Sequence, residues 1–187
     1  MVGRFKPVRG RDGAVQVTLD ETLTGLLTDL FTQLLELLDE GREEAPEDPL
    51  AAALGIGSND QPPEDPVLAR LFPNGYTDDP EASGEFRRYT ENGLRERKRG
   101  TAGTVLASLQ RAPGKLVLAP DEAMAWLTGL NDVRLAVAER LGLAEELAAA
   151  EERGEAFDVA EDDPRLPVLV AYDAITWMQE TLVQALS

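Results

Sequence analysis

The chain reads as a mainly α domain of the α+β kind, a bundle-like set of helices carrying a small antiparallel sheet of two or three strands. Three observations predict it. Leu23, Leu26, Leu27, Leu30, Phe31, Leu34, Leu35 and Leu38 recur at i, i+3, i+4, i+7 spacing, the mark of an amphipathic helix. Pro66, Asp79-Pro80-Glu81, Pro120-Asp121-Glu122 and Asp163-Pro164 each supply the proline and acid that open a helix. Three short apolar runs bounded by glycine and proline read as strands.

Taken in order, Phe5–Val8 and Ala14–Leu19 are extended in character, with Arg9-Gly10-Arg11-Asp12-Gly13 as the turn of a hairpin over about 3–19. Val15, Val17 and Leu19 alternate with polar neighbours, as a half-buried strand should. Thr18 and Glu21 stand at capping-box spacing, with Asp20 as the competing N-cap. The leucine helix follows and ends near Gly41. From 43 to 65 the periodicity is lost in an acidic, proline-rich loop, with Leu50–Leu54 as one or two helical turns. Gly55-Ile56-Gly57-Ser58 lacks the lysine of a phosphate loop and reads as surface.

Pro66 opens a short helix through Val67, Leu68, Leu71 and Phe72, closed by Pro73-Asn74-Gly75. Asp79 caps the next, whose apolar side is Phe86, Thr90, Leu94, Ala102, Val105, Leu106 and Leu109. Gly93, Gly100 and Gly103 weaken it and predict a break near Gly100. Lys115–Leu118 is a third strand, suited to join the hairpin. A helix from Pro120 buries Ala123, Trp126, Leu130, Val133 and Val137, and 143–152 adds a helical piece. An acidic loop spans 153–163. The last helix turns Leu169, Tyr172, Ile175, Met178 and Leu182 inward.

Composition excludes whole classes of chemistry. There are 187 residues, with no cysteine and no histidine. Thiol nucleophiles, thiolate or imidazole metal ligands and every Ser-His or Cys-His arrangement are absent from the chain. A length of 187 residues favours a single domain over 1–187. The balance of 18 basic against 35 acidic side chains gives a net charge of −17. Such a field repels nucleic acid and anionic membranes except where charge is locally reversed. No targeting or membrane-spanning segment is visible, which points to the cytoplasm.

Positive charge concentrates at Arg87, Arg88, Arg95, Arg97, Lys98 and Arg99; with Arg4, Lys6, Arg9 and Arg11 these are ten of the 18 cations. One reading makes Arg87, Arg88, Arg95, Arg97 and Lys98 a partner-binding patch, with Phe72 and Tyr76 as anchors. The other makes them a solvated helix face paired with Glu85, Glu91 and Glu96. Glu91 and Arg95 hold the favourable i, i+4 order. Glu85, Glu91, Asp132 and Arg134 form a candidate structural ion network, with bridges such as Arg87 or Arg88 to Asp132. No catalytic residue, metal or cofactor is assigned. The acids leave only an oxygen-ligated magnesium or calcium site conceivable, and no EF-hand loop is present.

Leu68-Ala69-Arg70-Leu71-Phe72-Pro73-Asn74-Gly75-Tyr76, Asp78-Asp79-Pro80, Glu85-Phe86-Arg87-Arg88-Tyr89-Thr90-Glu91 and Trp126-Leu127-Thr128-Gly129-Leu130-Asn131-Asp132-Val133-Arg134-Leu135 together resemble an actinobacterial family of unknown-function domains. Tyr172 through Leu182 continues the likeness. Some members carry the name oxidative-stress regulator AosR, with a thiol switch acting through transcription machinery, and members are encoded near the Clp protease adaptor. The resemblance implies a regulatory or adaptor role through a protein partner, in transcription or Clp-protease machinery. It brings no catalytic residue. Without cysteine, a disulfide switch cannot operate within this chain.

The leading expectation is therefore a non-enzymatic regulatory or adaptor protein acting by protein–protein interaction, in stress response or transcription. Two alternatives stand beside it. One is a small-molecule or metal-dependent enzyme built on Glu85, Arg88, Asp132 and Arg134. The other is DNA binding through the arginine-rich helix. An apolar helix stripe reads equally as core or as a homodimer seam, so the sequence leaves self-association open.

Overall fold

A computed structural model describes residues 2–40, 57, 59–143, 145–146, 152 and 162–187. The turns expected at Leu50–Leu54, all but Gly57 of the 55–58 motif, and most of the acidic loops lie outside the described residues. Among those described, five helices and three strands follow one another. They are β1 (Lys6–Pro7), β2 (Val15–Leu19), α1 (Glu21–Asp39), α2 (Pro66–Leu71), α3 (Pro80–Leu109), β3 (Gly114–Leu118), α4 (Pro120–Leu141) and α5 (Leu166–Leu186). The protein is mainly helical with a small three-stranded antiparallel sheet. None of these helices is long and apolar enough to cross a membrane.

Local chemistry sets the helix starts. Asp20 takes the N-cap of α1, its carboxylate accepting from Leu23 N–H at 2.8 Å, and so displaces the Thr18 alternative. Asp65 accepts from Val67 and Leu68 N–H at the head of α2. Asp79 accepts from Ala82 N–H at the head of α3. At α4 the arrangement is reversed: Glu122 reaches back to accept Ala119 N–H at 2.9 Å.

The sheet runs β1-β2-β3, with Val15 opposite Leu118 and Leu19 opposite Gly114. Its period of two turns Val15, Val17, Leu19, Leu116 and Leu118 to one buried face. That face joins one apolar core in which Trp126, Phe31, Leu27, Ile175 and Met178 are fully enclosed. Phe5 meets Trp126 edge-on, ring centroids 5.7 Å apart. Helix α4 is the hub, packing against α1, α2, α3, α5 and β3. Its approach to α1 requires a glycine, because a Cβ at Gly129 would lie 2.8 Å from the Phe31 ring.

Two expectations for α3 are corrected. It does not break near Gly100 but runs unbroken from Pro80 to Leu109. Each glycine costs a helix about 1 kcal/mol, and contacts on both sides of Gly100 outweigh that. Ala102, Val105 and Leu109 sit in the core beyond it, and Arg95 and Lys98 are tied to neighbouring segments before it. The buried face of its first half is also not the apolar one. Ser83, Gly84, Arg87 and Arg95 point inward, and Phe86 is exposed.

Gly129→Ala is expected to destabilise the fold by about 1–3 kcal/mol through overpacking against Phe31. Urea denaturation should show a lowered midpoint with an unchanged slope. Burial pushes the Glu122 carboxyl up, but the Ala119 N–H and the Arg111 guanidinium outweigh burial and hold it below its ordinary value of 4.5. A depressed carboxylate stabilises above its unfolded pKa, and that contribution fades as pH falls through the folded one. The stability gap between the native chain and Glu122→Gln should therefore be full at neutral pH and close between about pH 5 and 3. A gap independent of pH in thermal melts would contradict this.

Candidate functional site

The inward stripe of α3 reads Arg87, Glu91, Arg95, Lys98, Ala102, Val105 and Leu109, at steps of three and four. Its first half is ionic and its second half apolar. Glu91 bridges two buried arginines, with Oε2 2.5 Å from Arg87 Nη1 and Oε1 2.8 Å from Arg95 Nη2. Arg87 Nη2 donates to the Phe72 carbonyl at 3.1 Å and to Asn74 Oδ1 at 2.8 Å. Arg95 Nη1 donates to the Leu38 carbonyl at 2.9 Å and to the Glu40 carbonyl at 3.3 Å. Its guanidinium also lies 4.5 Å from the centroid of the buried Phe72 ring. One carboxylate and two arginines thus join the end of α1, the turn after α2, and α3.

Lys98 extends the ladder to α4, its Nζ 2.7 Å from Asp132 Oδ1. The bridge expected from Arg87 or Arg88 to Asp132 does not form. Arg88 instead exchanges two hydrogen bonds with Gly57, its Nε donating to the Gly57 carbonyl at 3.2 Å and its carbonyl accepting Gly57 N–H at 2.7 Å. Arg134 Nη2 donates to Asn131 Oδ1 at 3.3 Å, and Glu85 is exposed. Arg99 pairs with Asp39 and Glu96. Arg97 is exposed.

The proposed reactive quartet does not converge. Arg88 lies ten residues from Lys98, the partner of Asp132, roughly 15 Å along the axis of α3. Of the four residues only Arg88 lines one of the hollows beside α3, a shallow one walled by Gly57, Asn59, Arg87, Glu91 and Asn92, and Glu85, Asp132 and Arg134 do not join it there. Nor does any group of three or more acids among the described residues converge in a way that could hold a metal ion.

The outer face of the same region has a different chemistry. Tyr76, Phe86 and Tyr89 are 51%, 46% and 64% exposed, and they are the exposed aromatic residues of the described chain. Phe86 and Tyr89 are three apart on α3 and share a face. Tyr76 packs edge-on against Phe86, ring centroids 6.0 Å apart. The turn accommodates this because residue 75 is glycine: a Cβ there would stand 2.6 Å from the Phe86 ring. Beside the rings lies a hollow of about 200 Å³ walled by Phe72, Pro73, Phe86, Arg87, Thr90 and Leu94, among others.

A family described as "Domain of unknown function (DUF2017)" matches residues 3–186. The chain belongs to that family. It is 33% identical over 175 residues to the "Putative oxidative stress regulator AosR" of Mycobacterium leprae, covering 86% of this chain and 77% of that protein. It is 32% identical over 156 residues to the "Oxidative stress regulator AosR" of Mycobacterium tuberculosis H37Rv and of Mycobacterium bovis, covering 75% of this chain and 72% of each of those proteins. No solved structure matches the chain.

In this DUF2017 chain the sequence-nominated residues divide sharply. Arg87, Arg95, Phe72 and Asp132 are buried, and Lys98 is nearly so. Arg88, Arg97, Tyr76 and Glu85 face outward. Sequence pattern does not disclose Phe86 and Tyr89 as a surface pair, because apolar periodicity places Phe86 in the core and Tyr89 stands among charged neighbours with no signal of its own. The alternating Arg87, Glu91, Arg95 spacing was the available signal: three long side chains on one stripe can neutralise one another inside.

Removing Glu91 leaves two buried guanidiniums without their carboxylate, and such losses cost about 3–5 kcal/mol. Glu91→Ala should lose stability on that order, whereas the exposed Glu85→Ala should stay within about 0.5 kcal/mol of the native chain. Equilibrium denaturation of the two variants compares them directly. Equal effects would refute the buried ladder.

Proposed function

We propose that the chain is a non-enzymatic, cytoplasmic regulatory protein that acts by binding a protein partner, and that its contact surface is the Tyr76–Phe86–Tyr89 face with Arg88 and Arg97 at its edge. The exposed aromatic triplet carries this reading. Aromatic rings bury large areas on contact and dominate interface energetics, especially beside a pocket that takes a partner side chain. An exposed apolar patch with a polar rim is the usual sign of such a surface. The ion ladder beneath supports it by fixing α3 and the turn at Asn74, so the rings are presented from a rigid base.

Relatives named oxidative stress regulators support a regulatory role in stress response. The partner class proposed, transcription or Clp-protease machinery, rests on the family resemblance alone. The 187 residues contain no cysteine, so the signal reaches this chain by a route other than its own thiols. We further infer that residues 1–187 work as a single domain. The core cluster runs from Phe5 to Leu182 and draws on every helix and on β2 and β3, which supports this.

The test is affinity capture of the tagged full chain from native lysate, compared with a Phe86→Ser/Tyr89→Ser variant and read by quantitative mass spectrometry. Phe86→Ser gives up the ring contact with Tyr76, so stability should fall by about 1–2 kcal/mol while the variant stays folded by circular dichroism. Partners captured by the native chain should fall about tenfold or more in the variant. Undiminished capture by a folded variant would show that this face is not the contact surface.

A further inference from the structure

The N-terminal segment around β1 carries a second cluster of cations, on other elements than the arginine-rich helix. An open cleft of about 780 Å³ lies between the β1 segment and the last turns of α5, lined by Arg4, Lys6, Arg9, Gln16 and Gln184 among others. Among the described residues no carboxylate lines it, although acids outnumber bases 35 to 18 in the chain. Arg4, Lys6 and Arg9 are all exposed. Unlike Arg87, Arg95 and Lys98, none of the three is engaged by a carboxylate among the described residues.

The backbone of this edge is closed to strand addition. β1 is an outer strand of the sheet, and Pro7 has no N–H to offer. Phe5 N–H already donates to Thr181 Oγ1 on α5 at 3.2 Å. An occupant is therefore recognised by side chains, and the polar ones that are not buried are three cations and two amides, set beside Pro7, Val8 and Ala185.

We propose that this cleft docks a short acidic segment of a protein partner, with Arg4, Lys6 and Arg9 holding its carboxylates and the Gln16 and Gln184 amides as neutral donors. Charge complementarity selects the ligand, and arginine forks match carboxylates with two parallel bonds. The scale of the site selects a peptide over nucleic acid. Duplex DNA presents a charge about every 1.7 Å and would extend beyond the cleft over a body of net charge −17. A short acidic segment stays within about one Debye length, roughly 8 Å, of the three cations. The assignment does not depend on the aromatic face, which lies on other elements.

The experiment is fluorescence anisotropy of the full chain with a fluorescein-labelled Asp/Glu/Leu peptide, its Asn/Gln/Leu counterpart, and a labelled DNA oligonucleotide. The native chain should bind the acidic peptide, at least tenfold more weakly when salt is raised from about 50 to about 300 mM. The neutral peptide should not bind. Arg4→Gln/Lys6→Gln/Arg9→Gln should weaken acidic-peptide binding at least tenfold with an unchanged melting temperature, and Phe86→Ser/Tyr89→Ser should leave it intact. The proposal is overturned by no acidic-peptide binding at low salt, by equal binding to the triple variant, or by tighter binding of the oligonucleotide. Loss of peptide binding in the aromatic variant would relocate the site to that face.

Discussion

Glu91, held between Arg87 and Arg95, is the contact on which the arrangement of this protein turns. Two guanidiniums and one carboxylate share a space that is almost wholly enclosed. Bringing such ions out of water costs several kcal/mol each, and their attraction returns that only when the remaining donors are also satisfied. Here they are: the Leu38, Glu40 and Phe72 carbonyls and the Asn74 side chain complete both forks. The carbonyls of Leu38 and Glu40 belong to the C-terminal end of α1, where the helix dipole favours a cation. Net stabilisation is not the main consequence. The consequence is register, because two directional forks admit one placement of α1 and of the 72–74 turn along α3.

That choice determines the character of the surface. Of the six cations between residues 87 and 99, Arg87, Arg95, Lys98 and Arg99 are paired with carboxylates of this chain. The positive patch suggested by composition is largely internal. Turning Arg87 inward rotates its neighbour Phe86 outward by about 100°, and with it Tyr89 one turn later. The aromatic face is thus the geometric counterpart of the ladder. The N-terminal cations lie far from α3 in sequence, on a strand edge where no carboxylate of the described residues lines the cleft.

Membership of the DUF2017 family joins this chain to proteins named oxidative stress regulators, and the fold suits a role carried by surfaces. The elements that would serve contact, α3 and the β1 edge, are both anchored to the core, through the ladder and through the Phe5–Trp126 ring pair. A rigid presenting surface loses little conformational freedom on binding. The absence of cysteine separates any signal this chain receives from thiol chemistry of its own.

The sequence by itself determined the helical class, the small antiparallel sheet and most helix starts. Those features follow from near neighbours: a leucine every third or fourth residue, an aspartate before a proline, a valine at every second position. It also determined what chemistry is missing, since no fold can supply an absent thiol or imidazole. Only the tertiary structure decided which face of α3 points inward, why Gly100 does not interrupt it, and which ions pair. Apolar periodicity counts an arginine as surface because burying a lone charge is prohibitive. It cannot see that Leu38, Phe72 and Asp132, each far away along the chain, bring the acceptors that make burial tolerable. Periodicity places Phe86 in the core for the same reason that it places Arg87 at the surface, and one long-range network reverses both.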